Sequence, residues 1–163
     1  MNFLLFEGAP SVGKTEAITR VVDYLVNKKG FVCIHHEFIN KHKIDFRCVL
    51  KGKNKSGKSI IIIVSSAGDN QVVINKFNVY IKNNLPCDFI IGATRDVDDR
   101  YKIRSYFMNA IVTPNSTPNS ICFEIPLAEI TRKGKLRSTA LQWYRDNIDI
   151  IVNNILADAP FGI

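Results

Sequence analysis

The sequence predicts an α/β fold with a mainly parallel central sheet. Short apolar stretches at 2–7, 31–35, 60–64, 89–91 and 121–125 alternate with longer segments of helical period, the order expected of strands joined by crossover helices. The run Ile60–Val64 is apolar at every position, as a strand covered on both faces should be. A glycine-containing turn also links the first strand directly to the first helix. Together these imply a three-layer sandwich with helices on both faces of one sheet. No internal repeat or linker divides the 163 residues, so one domain over 1–163 is expected.

Taken in order, Asn2–Glu7 reads as a strand, and Thr15–Lys29 as a helix whose apolar face is Ala17, Ile18, Val21, Val22 and Leu25. Lys28, Lys29 and Gly30 supply a cationic last turn and a stop. Phe31–His35 follows as a second strand. Ile44–Leu50 and Lys58–Val64 flank the polar turn KGKNKSG, so a β-hairpin is expected at about 44–65. Gln71–Leu85 is a helix with Val73, Phe77, Ile81 and Leu85 four apart. Phe89–Ile91 is a buried strand, Asp98–Ile111 a helix, TPNSTPNS at 113–120 a loop and Ile121–Ile125 the last strand. A long helix starts at about Ser138, with Leu141, Tyr144, Ile148, Ile151, Val152 and Ile155 as its stripe.

Composition narrows the class. Hydrophobic residues make up 46% and charged residues 23%, a globular balance that excludes disorder. The longest apolar run is five residues, far short of the roughly 20 that span a bilayer. The N-terminus lacks the basic and apolar regions of a secretory leader. Cys33, Cys48, Cys87 and Cys122 are widely spaced without a C-x-x-C pair and read as reduced thiols of a cytoplasmic protein, not as a metal site. The net charge of +7 is uneven: residues 1–82 carry 13 Lys/Arg against 6 Asp/Glu. Within 41–58, Lys41, Lys43, Arg47, Lys51, Lys53, Lys55 and Lys58 face only Asp45. Such a segment either attracts a polyanion or protein partner or keeps an exposed hairpin edge from pairing.

The strongest signal is Gly8-Ala9-Pro10-Ser11-Val12-Gly13-Lys14-Thr15, which fits G-x-x-x-x-G-K-[ST] at every specified position. This composition would produce the match by chance with a probability of about 0.004, and its place between a strand and an amphipathic helix makes accident rarer still. The glycines let successive N–H groups point into one concavity at a helix N-terminus. Lys14 is placed to reach the β- and γ-phosphates, the Thr15 hydroxyl to ligate magnesium, and Glu16 opens the helix beside them. On this motif and the strand–helix order, the chain resembles the P-loop NTPase superfamily. The resemblance implies a P-loop NTPase-like fold and Mg2+-dependent binding of ATP or GTP.

The pattern breaks after Ile60–Val64. P-loop enzymes usually place a Walker B aspartate there, whereas this chain has Ser65-Ser66-Ala67-Gly68-Asp69. Against the D-x-x-G pattern of GTPases, Ser65 takes the Asp position, Gly68 keeps the glycine facing the γ-phosphate, and Asp69 falls where small GTPases place a water-orienting residue. Asp69 is therefore expected to assist the metal or orient the attacking water, with Ser65 as a weaker metal contact, or else to cap the next helix. The guanine-reading N/T-K-x-D pattern is met only by its Asp in Ala93-Thr94-Arg95-Asp96, which leaves ATP as the default nucleotide. Arg100 and Arg104, four apart, would share a helical face and resemble the arginine-bearing lid of small P-loop kinases, with Asp96 pairing Arg100. Glu37, at the end of the second strand, would be that enzyme's general base. Adjacent His35 and His36 point to opposite faces and cannot share a metal easily. Arg132, Lys133, Lys135 and Arg137 are further candidates for nucleotide or partner contact.

The expected function is a cytoplasmic, Mg2+-dependent nucleoside-triphosphate-binding protein acting as an ATPase switch or motor-like module. Two alternatives stay open: a small-molecule or nucleotide kinase, and a nucleotide-gated module that binds nucleic acid or a protein through its basic hairpin.

Overall fold

The computed structural model describes residues 1–10, 12–96, 100–127 and 137–163, and only the backbone of 137–141. Six strands form one mixed sheet: β1 (Asn2–Glu7), β2 (Val32–Phe38), β3 (Phe46–Lys53), β4 (Ser59–Ser65), β5 (Phe89–Thr94) and β6 (Cys122–Pro126). Their spatial order is β2-β3-β4-β5-β1-β6. The four strands from β4 to β6 pair in parallel, whereas β2–β3 and β3–β4 are antiparallel. All four parallel strands therefore end at the same edge of the sheet, where the loops that follow them converge.

The two-residue period of the strands divides the core into two layers. Leu4 and Phe6 of β1, with Ile62 and Val64 of β4, pack against α1 (Lys14–Lys29) and α5 (Arg137–Ala157). Phe3, Leu5 and Ile63 face the opposite way, onto α2 (Gln71–Asn83), α3 (Ile103–Phe107) and the π-helical turn Met108–Val112. A short turn of helix, α4 (Thr113–Asn115), leads toward β6. Helices thus cover both faces, as expected of an α/β fold. Ala17, Ile18, Val21 and Leu25 form the buried stripe of α1. That helix stops at Gly30 in the left-handed region, whose N–H reaches the Leu25 carbonyl. Among the described residues no helix is long and apolar enough to cross a membrane.

Several boundaries differ from expectation. β2 continues to Phe38, paired from Val32↔Lys51 to Phe38↔Phe46, and β3 to Lys53, which pairs with Ser59 of β4; the apolar pattern does not reveal these ladder partners. Asn84 leaves the helical conformation, so α2 ends before Leu85. The helix expected over 98–111 begins only at Ile103, because Lys102 adopts a left-handed conformation (φ 54°) that a right-handed helix cannot continue through; residues 97–99 lie outside the described residues. The hairpin is present as β3–β4, but it is not the sheet edge. β2 covers it, exposing Val32, Ile34 and Cys33. Cys33 thus departs from the expected buried thiol; Cys48 is fully buried, and Cys87 and Cys122 are half-buried.

The basic segment is likewise divided. Arg47 is buried and paired with Glu37, Lys58 pairs with Asp88, and Lys55 donates to the Ala157 carbonyl. The exposed Lys41 and Lys43 precede β3, whereas Lys51 and Lys53 lie at its far end, about 25 Å away along the strand. The seven cations do not make one continuous patch.

The layered packing predicts a contrast within α2. Phe77 is fully buried between the sheet and the α3 side, whereas Val79 is exposed. Phe77→Ala should destabilise the protein by about 3–5 kcal/mol in urea denaturation, and Val79→Ala by no more than about 0.5 kcal/mol.

Candidate functional site

β1 ends at Glu7, and α1 starts at Lys14 after Gly13, whose φ of 97° is a backbone state that a side chain would strain. No side-chain hydrogen bond caps α1, leaving its first N–H groups without that partner. Lys14 does not project outward. Only 6% exposed, it folds back over the turn, and its Nζ donates to the carbonyls of Gly8 and Ala9, each at 2.8 Å. The same ammonium lies 3.3 Å from Asp69 Oδ1. Burial lowers the Lys14 pKa, Arg95 adds to that, and the Asp69 carboxylate works against both. Of the expected nucleotide-contacting residues, Ser11 lies outside the described residues. Gly8, Ala9, Pro10, Val12, Gly13, Lys14 and Thr15 form the turn, and Glu16 points to α5, pairing with Arg145 at 2.6 Å.

Gly68 brings Asp69 to this place by close approach. A β-carbon on Gly68 would lie 1.8 Å from the Ala93 carbonyl oxygen, so the loop after β4 rests directly on the end of β5. Asn70, not Asp69, caps α2, accepting from the Val73 N–H at 3.0 Å. Asp69 is thereby left free to reach sideways. Its Oδ1 meets Arg95 Nε at 3.2 Å as well as Lys14, so one carboxylate oxygen bridges two cations. Arg95 is next to the turn because β5 pairs directly with β1 and its Thr94 is in register with Glu7. The Thr94 hydroxyl is fully buried and has no hydrogen-bond partner among the described residues.

The residues expected at a metal have the following partners. Ser65 is fully buried and donates to the Ala67 carbonyl at 3.0 Å, which turns it inward to brace its own loop. Asp69 is occupied by Lys14 and Arg95. The acid that meets Thr15 is Asp45: the Thr15 hydroxyl donates to Asp45 Oδ1 at 2.8 Å. Asn40 holds the second oxygen of Asp45 at 2.9 Å, and Ser66 ties the start of β3 to the end of β4 through Phe46. Spacing could not reveal this contact, because it joins residues 30 apart and β3, which Asp45 precedes, stands three places from β1 in the sheet. The one signal was that Asp45 is the only acid within a basic stretch. A hydroxyl beside a carboxylate is a hard-oxygen pair that suits Mg2+, which keeps most of its waters and takes one or two protein ligands plus phosphate. Among the described residues no cluster of three His, Cys, Asp or Glu side chains is set to hold a metal.

The expected lid and acceptor residues go elsewhere. Arg100 stacks over the Tyr101 ring ahead of α3, so it does not share a helical face with Arg104. Arg104 binds Glu7 at 2.7 Å and Glu124 at 2.5 Å. Glu37 pairs with Arg47 at 3.0 Å in a cleft of about 540 Å3 between β2, β3 and α2, which no residue of the Gly8–Thr15 segment lines. His35 contacts Tyr80 and His36 stacks on Phe46, on different neighbours as strand alternation requires. Arg132, Lys133 and Lys135, and the side chain of Arg137, lie outside the described residues. Comparison with protein-family models, with curated proteins and with solved structures returned no match, so the residues themselves carry the functional reading.

Glu7 precedes the turn and is nearly buried; burial and the adjacent Glu124 push its pKa up to about 7, despite Arg104, while Glu124 is held below the usual carboxylate range. Arg104 donates to both acids, at 2.7 Å to Glu7 and 2.8 Å to Glu124. A raised folded pKa adds stability below the unfolded value of 4.5 and loses it as pH climbs to about 7; the lowered Glu124 acts only below that window. Wild-type stability should therefore fall by about 2 kcal/mol between pH 4.5 and 7 relative to Glu7→Gln, as measured by urea unfolding at a series of pH values.

Proposed function

We propose that the chain is a P-loop nucleoside-triphosphate-binding protein that hydrolyses ATP or GTP with Mg2+. The observation that carries this reading is the turn itself: G-x-x-x-x-G-K-T lies between β1 and α1, at the carboxyl edge of the parallel strands, with α1 free of a side-chain cap. N–H groups at such a helix start favour phosphate oxygens. Binding a triphosphate requires Lys14 to leave the Gly8 and Ala9 carbonyls for the β- and γ-phosphates. Thr15 and, directly or through water, Asp45 would hold Mg2+, which when bound neutralises phosphate charge. Asp69, from the loop after β4, orients the attacking water near the terminal phosphate. Catalysis by positioning and charge compensation is general for phosphoryl transfer.

The alternatives have less support. The kinase reading loses its base to Arg47 and one lid arginine to Glu7 and Glu124. The nucleic-acid reading loses the continuity of its basic surface.

Titration calorimetry with ATP and GTP plus Mg2+, paired with phosphate-release assays, tests the proposal. Lys14→Ala should weaken nucleotide binding about tenfold to a hundredfold. Asp69→Ala should lower hydrolysis about a hundredfold without weakening binding. Failure of the wild type to bind either nucleotide would overturn the reading. Separately, Asp45→Asn should raise the Mg2+ concentration for half-maximal nucleotide binding about tenfold; an unchanged Mg2+ requirement would remove Asp45 from the metal site.

A further inference from the structure

The contact among Lys14, Asp69 and Arg95 has a form that the proposed hydrolysis does not itself require. Two cations from different elements converge on one carboxylate oxygen, at 3.3 Å and 3.2 Å. Lys14 comes from the start of α1, and Arg95 from the residue after β5. Lys14 is 6% exposed and Arg95 about a fifth exposed, whereas Asp69 is nearly half exposed. The cations are thus built into the protein, and the anion between them is its most accessible member. Gly68 fixes the base of the Asp69 loop against Ala93, and Asn70 fixes its far end on α2. The Asp69 side chain can turn away without moving either anchor.

We infer that Lys14 and Arg95 together form a seat for the terminal phosphoryl group of a nucleoside triphosphate, and that Asp69 fills this seat as an internal anion until the nucleotide replaces it. The inference rests on the phosphate-loop reading and adds Arg95 as a second phosphate-contacting cation. The chemistry supports the exchange. A phosphoryl oxygen offers the same anionic acceptor as a carboxylate oxygen, and a guanidinium can hold two such oxygens at once. The exchange keeps both cations paired, so neither is left buried and alone. Displaced Asp69 moves toward solvent while staying on the same short loop, adjacent to the phosphate whose attacking water it orients. Asp96 also acts on Lys14 through space; it remains a background anion on either side of the exchange.

Two consequences separate this arrangement from an incidental surface ion pair. Arg95 should distinguish triphosphate from diphosphate, because only the triphosphate carries a group long enough to enter the seat. Removing the Asp69 charge should tighten binding, because the nucleotide no longer competes with an internal anion.

The test is titration calorimetry of wild type, Arg95→Ala, Arg95→Lys and Asp69→Asn with ATP, ADP, GTP and GDP in Mg2+, and with inorganic phosphate alone. Arg95→Ala should weaken triphosphate binding about tenfold and leave diphosphate binding within twofold, with Arg95→Lys in between. Asp69→Asn should tighten triphosphate binding by about threefold to tenfold. Thermal melts identify any variant that fails to fold, and Asp69→Asn, which keeps the side-chain shape, then decides the outcome. Equal triphosphate affinity in wild type, Arg95→Ala and Asp69→Asn overturns the inference while leaving the phosphate-loop reading intact. Inorganic phosphate binding as tightly as triphosphate overturns the assignment to a nucleotide's terminal group. No association of wild type with any nucleotide overturns the phosphate-loop reading itself, and this inference with it.

Discussion

A buried ammonium needs anionic or carbonyl partners, and at Lys14 that requirement organises the edge of the sheet around it. Leaving such a charge unpaired away from water is costly. The chain answers with the two carbonyls of its own turn and the carboxylate of Asp69. Each partner comes from a fixed place: the turn from the β1–α1 junction, and Asp69 from a loop pressed onto the end of β5. The resulting closed turn is self-compensated, and a bound phosphate would have to supply equivalent partners.

The strand order explains which groups can meet there. β5 lies between β1 and β4, so Arg95 follows a strand that directly neighbours the one leading into the Gly8–Lys14 turn. β4 is one strand further away, and its own terminal serines are turned inward: Ser65 to the Ala67 carbonyl and Ser66 to Phe46. The loop beyond them must extend as far as Asp69 before it offers an acid to Lys14. The antiparallel pairing of β3 with β4 delivers Asp45, just before β3, to Thr15. Two acids therefore meet the turn, Asp69 at the lysine and Asp45 at the threonine, from loops at the ends of the neighbouring strands β4 and β3.

Charge pairing also accounts for residues that left the candidate site. Arg104 bridges Glu7 and Glu124 on adjacent parallel strands, which stabilises two acids that burial brings together. Arg47 is buried beside Tyr80 and pairs with the partly exposed Glu37. Both arginines look like ligand-binding candidates while their partners are unknown, and both are structural neighbours of acids once the sheet is assembled. A free-looking cation in a sequence says little until its register is known.

The sequence by itself determined the elements whose signals are local. The G-x-x-x-x-G-K-T motif, the apolar face of α1, the β3–β4 hairpin and the alternation of strands with helices follow from local spacing. By contrast, only Phe77 and Ile81 of the face expected for α2 are buried, with Ile74 and Tyr80 taking the other places and Leu85 exposed. The place of Gly68 and Asp69 in the loop after β4 was legible because they lie a short, countable distance beyond an apolar strand. Tertiary structure alone decided that β5 sits beside β1, that β2 covers the hairpin, that Asp45 meets Thr15 and that Arg95 shares Asp69 with Lys14. These contacts depend on strand order and register, which join segments far apart in the chain, and no local periodicity records which distant strand will be the neighbour.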